Sequence, residues 1–238
     1  MTRETAARCG NYKGIYMRAF FSVIVLLSIS VASSAQMDIS RWQDYLSYMN
    51  AYKVAIGDDK VFCATDGGLF FADFQDNSLD KLNRRSGLSD MGIQTTAYHA
   101  GKEILVVAYK NGNIDLVTKT RVFNLADIQR KASPMDKTIH NIFFHGSDAY
   151  LACGFGIVVI NLERREIKDT YIIGENGSQI AVFDVQTDGQ NIYAATISGV
   201  YKASLNSPNL LDYRNWSRDV TIPRSNATFS HLAQLTGE

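Results

Sequence analysis

Four segments of the 238-residue chain superimpose without gaps: VFCATDGGLFFA, LVVAYKNGNIDL, YLACGFGIVVI and IYAATISGVYKA. In each, an alanine is followed four residues later by a glycine. The alanines are Ala64, Ala108, Ala152 and Ala195, and the glycines are Gly68, Gly112, Gly156 and Gly199. Both series step by 44, 44 and 43 residues, so one unit of supersecondary structure recurs at a fixed period.

Each unit reads as strands. The residues before the alanine are apolar but too few for a helix, as in Leu105-Val106-Val107 and Ile192-Tyr193. Turn residues follow (Asp66-Gly67, Asn111-Gly112, Ser198-Gly199), and a second apolar run begins at once. Another short strand precedes each pair, exemplified by Gln94-Thr95-Thr96-Ala97 and Asn141-Ile142-Phe143-Phe144, and a fourth follows near Val122-Phe123 or Thr170-Tyr171. Four antiparallel strands per 40–45 residues is the content of one β-propeller blade. The expected fold is therefore all-β, with blade cores near 53–85, 93–125, 139–172 and 180–218. The alanine-bearing strands are expected to crowd towards the central axis, the glycine supplying the turn into the next strand. A fifth blade is expected to open with Thr228-Phe229-Ser230-His231-Leu232-Ala233, so residues 36–238 read as a partial propeller of about four and a half blades. Trp42 lies at nearly the blade phase of Trp216; its strand is either a simple lead-in or the outer strand of a last blade that closes the ring.

Residues 1–35 read as an address. Ala19–Ala32 is apolar, preceded by Lys13 and Arg18 and followed by Ser33-Ser34-Ala35, the pattern of a secretory signal peptide. Fourteen helical residues rise only about 21 Å, short of a bilayer's roughly 30 Å. Met17 is a plausible start, and Gln36 after the cut is not a lipoprotein cysteine. The whole chain carries 24 basic and 24 acidic residues; without Arg3, Arg8, Lys13, Arg18 and Glu4 it keeps 20 and 23. Such a balance offers no basic stripe for nucleic acid. At 46% apolar and 20% charged, the composition is that of a globular chain.

Candidate chemistry is sparse. His99, His140, His145 and His231 are scattered over different units, and no metal set is expected. Cys63 and Cys153 sit in equivalent strands with a whole blade between, so two buried free thiols are expected, on opposite sides of their sheets. Asp58-Asp59 and Asp73/Asp76 fall in turns, where carboxylates are usually solvated. Asp115 is a candidate channel-lining carboxylate, and Tyr45, Tyr48 and Tyr52 a candidate aromatic patch for sugars or proteins. The glycosylation patterns at Asn176, Asn215 and Asn226 are expected to mark loops. Sialidase-type turns, Gly-x-Ser-x-Gly, phosphate loops and His-Glu-x-x-His do not occur. No catalytic, cofactor-binding or metal residue is assigned.

Several strings resemble a known family: Trp42-Gln-Asp-Tyr-Leu-Ser-Tyr48, Val61-Phe-Cys-Ala-Thr-Asp-Gly-Gly-Leu-Phe70, Ser86-Gly-Leu-Ser-Asp90, Val107-Ala-Tyr-Lys-Asn-Gly-Asn-Ile-Asp-Leu116 and Phe155-Gly-Ile-Val-Val-Ile-Asn-Leu162. They look like the N-terminal propeller of the PorZ family, components of the type IX secretion system of the Bacteroidetes. The Gly-Leu-Ser-Asp linker also resembles the wider two-component regulator propeller repeat of periplasmic sensors. The PorZ resemblance implies a non-catalytic surface scaffold with a second propeller and a C-terminal β-sandwich. It would act with the sortase-like protease PorU and other attachment-complex proteins in cargo processing. It would also act in attaching cargo to anionic lipopolysaccharide, which the domains missing here would bind. Export across the inner membrane to the periplasm or outer-membrane surface follows, with no cofactor. A ligand-sensing propeller of a hybrid two-component regulator is the other reading. An enzyme would need channel-lining groups gathered from several blades.

Overall fold

The computed structural model describes residues 47–132 and 135–234. The proposed leader, the strand around Trp42 and Tyr45 lie outside them.

Four sheets follow one another, each a four-stranded antiparallel meander with strands in chain order. The first contains β1 (Ala51–Ile56), β2 (Lys60–Thr65), β3 (Gly68–Asp73) and β4 (Ser78–Leu82). The second contains β5 (Ile93–His99), β6 (Ile104–Tyr109), β7 (Ile114–Val117) and β8 (Val122–Leu125). The third contains β9 (Ile139–His145), β10 (Asp148–Cys153), β11 (Gly156–Asn161) and β12 (Glu166–Tyr171). In the fourth, β13 (Val182–Thr187), β14 (Asn191–Thr196) and β15 (Gly199–Ser204) are followed by a two-residue β16 (Ser217–Arg218). The single α-helical turn among the described residues, α1 (Asp127–Arg130), links the second sheet to the third.

These sheets are propeller blades, and the described part of the ring is open. Between sheets the packing runs β1 on β5, β5 on β9 and β9 on β13. The first strand of each blade is thus innermost. This corrects the expectation for the repeated alanines, which sit one strand further out, on β2, β6, β10 and β14. Repeat spacing gives the order of strands along the chain but not their radial order.

The core consists of three interblade layers. Ala55, Phe62, Ala64 and Leu69 of the first blade pack on Leu105, Val107 and Tyr109 of the second. Val106, Ala108 and Leu116 then face Leu151, Cys153 and Val158 of the third. Ala152, Ile157 and Val159 face Val185, Ile192 and Ala194 of the fourth. Because side chains alternate along a strand, Ala64, Ala108 and Ala152 face the next blade while Val107, Leu151 and Ala194, each immediately before its alanine, face the previous one. The alanines are at most 1% exposed.

The recurring glycine is required by more than a turn. At Gly156, φ is +148°, and a Cβ there would lie 2.3 Å from the Tyr171 carbonyl oxygen, where β12 ends beside the start of β11. Gly112 differs: its blade has a longer loop, and a Cβ would strike Ile128 at 2.9 Å.

Residues 228–234 form no strand, although the sequence suggested the opening of a fifth blade there. The segment is instead tied to the fourth blade: the Phe229 N–H donates to the Thr196 carbonyl at 3.0 Å, and Thr228 Oγ1 to the Ile197 carbonyl at 2.9 Å.

Candidate functional site

Each innermost strand begins with an irregularity of register: between Ala51 and Lys53, Ile93 and Thr95, Ile139 and Asn141, Val182 and Asp184. The skipped residues are Tyr52, Gln94, His140 and Phe183. Such bulges re-aim the side chains that follow. Here they place Lys53, Thr95, Asn141 and Asp184 directly opposite Ala64, Ala108, Ala152 and Ala195. The small alanine leaves room beside a longer polar side chain on the innermost strand.

Three of these residues connect. Lys53 Nζ donates to Asn141 Oδ1 at 3.2 Å, joining the first blade to the third. Asn141 Nδ2 donates to Asp184 Oδ1 at 2.8 Å, joining the third to the fourth. Asp184 Oδ1 also accepts from its neighbour's Val185 N–H, and Oδ2 accepts from the Leu232 N–H at 3.0 Å. The fourth member, Thr95, is 1% exposed and its hydroxyl has no partner among the described residues. Asp184 is only 3% exposed and accepts on both oxygens, which suits a structural anchor better than a base seeking a proton.

A second network pins the linker between the first two blades. Leu88 is buried in the layer between them. The next residue, Ser89, donates its N–H to Asp115 Oδ2 at 2.7 Å. Asp115 also accepts from Tyr109 Oη at 2.6 Å and Asn124 Nδ2 at 2.9 Å. Asp115 is fully buried on the third strand of its blade, which corrects its candidacy as a channel-lining group. Burial, followed by the Asp115 hydrogen bond, drives the Tyr109 phenol far above its ordinary value. Asp90 accepts at Oδ2 from Asn111 Nδ2 (2.6 Å) and Gln129 Nε2 (3.2 Å), and at Oδ1 from the Met91 N–H. Burial alone would raise the Asp90 carboxyl. The bonds from Asn111, Met91 and Asn113, with the Arg84 charge, outweigh burial and hold it below the usual range. The Ser-Asp of the Gly-Leu-Ser-Asp string is thus a clamp, a role absent from the sequence reading because its partners come from distant segments.

The other candidates stay apart. His99 Nε2 lies 2.9 Å from the Gly146 carbonyl, and its ring packs edge-on against Phe144. The His140 ring lies 4.9 Å from that of Phe183. Its Nε2 is buried without a partner among the described residues, and burial lowers its pKa. His145 is exposed, and His231 Nδ1 lies 4.0 Å from Asp184 Oδ2. Among the described residues no His, Cys, Asp and Glu group could hold a metal ion. Asp59 accepts from Gln75, Asp73 pairs with Lys60 at 2.7 Å, and Asp76 caps the Ser78 N–H.

Tyr48 Oη accepts from Asn83 Nδ2, while Tyr52 Oη donates to the Ile93 carbonyl at 2.5 Å, so each tyrosine is engaged in holding the fold. Cys63 and Cys153, the cysteines among the described residues, are free thiols, the first half-buried and the second buried. They lie on the same side of their respective sheets, not on opposite sides. Cys63 precedes its alanine and Cys153 follows its own, a difference of two positions, and two positions restore the side.

Four-stranded antiparallel sheets packed through their first strands, with the innermost polar chain Lys53–Asn141–Asp184 joining three of them, define a repeat β-propeller module. The comparisons narrow this. The model of the PorZ N-terminal β-propeller domain of the type IX secretion system matches residues 61–217, and the chain belongs to that family. Among solved structures, PorZ of Porphyromonas gingivalis aligns at 27% identity with a TM-score of 0.65. That alignment covers 72% of this chain and 23% of that one, so the chain spans under a quarter of its relative. That PorZ is an essential bacterial surface component of the type IX secretion system. The extracellular domain of a hybrid two component system from B. thetaiotaomicron shares the fold, at 13% identity and a TM-score of 0.57, over 76% of this chain and 24% of that one. No curated protein matches the sequence. No helix among the described residues is long and apolar enough to cross a membrane.

Proposed function

We propose that this chain is a non-catalytic propeller module of the type IX secretion machinery, exported to the bacterial surface. There it assists cargo processing and attachment to anionic lipopolysaccharide by docking protein partners, the sortase-like protease PorU first among them. The observation that carries the reading is the family match over residues 61–217. The state of the buried carboxylates supports it: Asp115 and Asp184 are engaged by hydrogen-bond donors on every side described above, which favours rigidity over acid–base work. Loops at the two ends of the blades vary on this rigid frame, the arrangement a docking module needs.

The test is affinity purification of the tagged full-length gene product from its own cells, with deletion of the gene in parallel. The expected result is co-purification of a sortase-like protease, and unprocessed cargo accumulating in the deletion strain. Normal cargo processing in that strain, with no protease recovered, would overturn the proposal.

A further inference from the structure

At the outer edge of the fourth blade lies a recess of about 360 Å³, bounded by Glu175, Tyr201, Tyr213, Arg214, Trp216 and Arg218. Its walls are firmly built. Trp216 is 6% exposed; its Nε1 donates to the Leu210 carbonyl at 2.9 Å and its ring packs 6.0 Å from that of Tyr171. Tyr213 lies against Gly177, where a Cβ would come within 3.2 Å of the ring. Arg218 is held by pairing of β16 with β15, directly opposite Tyr201. Its stem packs on Gly199, where a Cβ would meet Arg218 Cδ at 3.0 Å.

The two guanidinium groups of this recess are in different states. Arg214 has its side-on fork filled: Nε lies 3.0 Å from both Asp212 oxygens, and Nη2 lies 2.7 Å from Oδ2. The fork of Arg218 is half-filled. Nη2 donates to Glu175 Oε1 at 2.6 Å and, more weakly, to Tyr201 Oη at 3.4 Å. The adjacent Nε is buried and has no partner among the described residues. The side-on edge of a guanidinium matches the two oxygens of a carboxylate, and Glu175 supplies one oxygen where two are wanted. The Glu175 side chain is 71% exposed, so its single contact is a screened surface pair that another carboxylate can displace.

We infer that Arg218 anchors a binding site for a small organic acid: a carboxylate that fills the Nε–Nη2 fork in place of Glu175, carried on a flat apolar body seated against Tyr213 and Trp216. The inference is independent of the docking role proposed above.

The probe is benzoate, with benzamide and acetate as comparisons, titrated into the full chain labelled with nitrogen-15 at arginine. The readout is the Arg218 Nε–H resonance, assigned by its loss in Arg218→Lys. Benzoate should move this resonance saturably, benzamide should leave it in place, and acetate should bind at least several-fold more weakly than benzoate. Glu175→Gln removes the internal competitor and should tighten benzoate several-fold, whereas Arg218→Lys should weaken it ten-fold or more. Should Arg218→Lys fail to fold, benzoate and benzamide affinities are read by calorimetry on the parent chain and on Glu175→Gln, and that comparison stands alone. Benzoate and benzamide binding alike, a resonance unmoved by benzoate, or an unchanged affinity in Glu175→Gln would each overturn the inference.

Discussion

The recurring glycine can be tested by one pair of substitutions. Gly146 has φ +60° and nothing within 4 Å of an added Cβ, so Gly146→Ala meets only left-handed backbone strain. That strain costs about 1–2 kcal/mol. At Gly156, φ is +148° and the added Cβ would lie 2.3 Å from the Tyr171 carbonyl oxygen. Since comfortable contacts begin near 3.5 Å, the start of β11 and the end of β12 must part by roughly 1 Å. Strain of about 1–3 kcal/mol and overpacking of about 1–3 kcal/mol then add, for a total near 4 kcal/mol. Against a typical stability of about 5–15 kcal/mol, this is a large share. With a urea slope of about 2 kcal/mol per M, Gly146→Ala should lower the unfolding midpoint by about 0.5–1 M and Gly156→Ala by about 2 M. Amide exchange in Gly156→Ala should accelerate first in β11 and β12. Equal midpoint shifts in the two variants would refute the argument that close approach, beyond turn conformation, fixes this glycine.

Three further perturbations follow from the buried polar groups. Asp115→Ala orphans the Ser89 N–H and Tyr109 hydroxyl donors together, while Asn124 Nδ2 keeps Asn113 Oδ1 and the Ile114 carbonyl, at about 2–3 kcal/mol by urea unfolding; a loss under 1 kcal/mol would show that the linker is not clamped there. In a Cys9→Ser background, iodoacetamide at pH 8 should label half-buried Cys63 slowly and Cys153, whose thiol burial pushes well above its ordinary value, only after unfolding. Two labels on the native chain would contradict this packing. For His140, burial lowers the folded pKa below 6.5, so the unfolded state takes up the proton first. Its contribution to stability is present above pH 6.5 and lost as pH falls through the folded pKa. The parent chain should lose stability from about pH 6.5 downward more steeply than His140→Phe, and parallel curves would remove His140 as the cause.

The fold was legible because two constraints repeat in one residue type each. Ala64, Ala108, Ala152 and Ala195 are small where a polar residue stands across the ladder, and three of the four glycines sit at a positive φ against the end of the fourth strand or the following chain. The innermost polar positions were illegible for the opposite reason. Lys53, Thr95, Asn141 and Asp184 share a position and no chemistry, so no repeat search aligns them. The clamp at Asp90 and Asp115 was hidden by distance, since Asp115 receives a donor 26 residues away and Asp90 one 39 away. Radial order also lay beyond periodicity, because a blade read from inside out or outside in has the same period.

The unlike faces of a blade imply that one repeat position should tolerate substitution differently in different blades. Cys63, Val107, Leu151 and Ala194 are equivalent, each immediately before the alanine or, in the fourth blade, before Ala195. Val107, Leu151 and Ala194 are 0% exposed, because each faces a preceding blade. Cys63 faces the side on which no blade stands among the described residues, and it is only half-buried. Its neighbour across the ladder, Val54, is 51% exposed, whereas Val185, in the corresponding place opposite Ala194, is 1% exposed. Placing leucine at position 194 adds three carbons to a closed layer and should cost about 1–3 kcal/mol. The same side chain at half-buried position 63 enters no interblade layer among the described residues and should shift stability by no more than about 0.5 kcal/mol. Urea unfolding of Cys63→Leu and Ala194→Leu reads the difference. Comparable losses would mean that the first blade's outer face is as tightly covered as the three interblade layers.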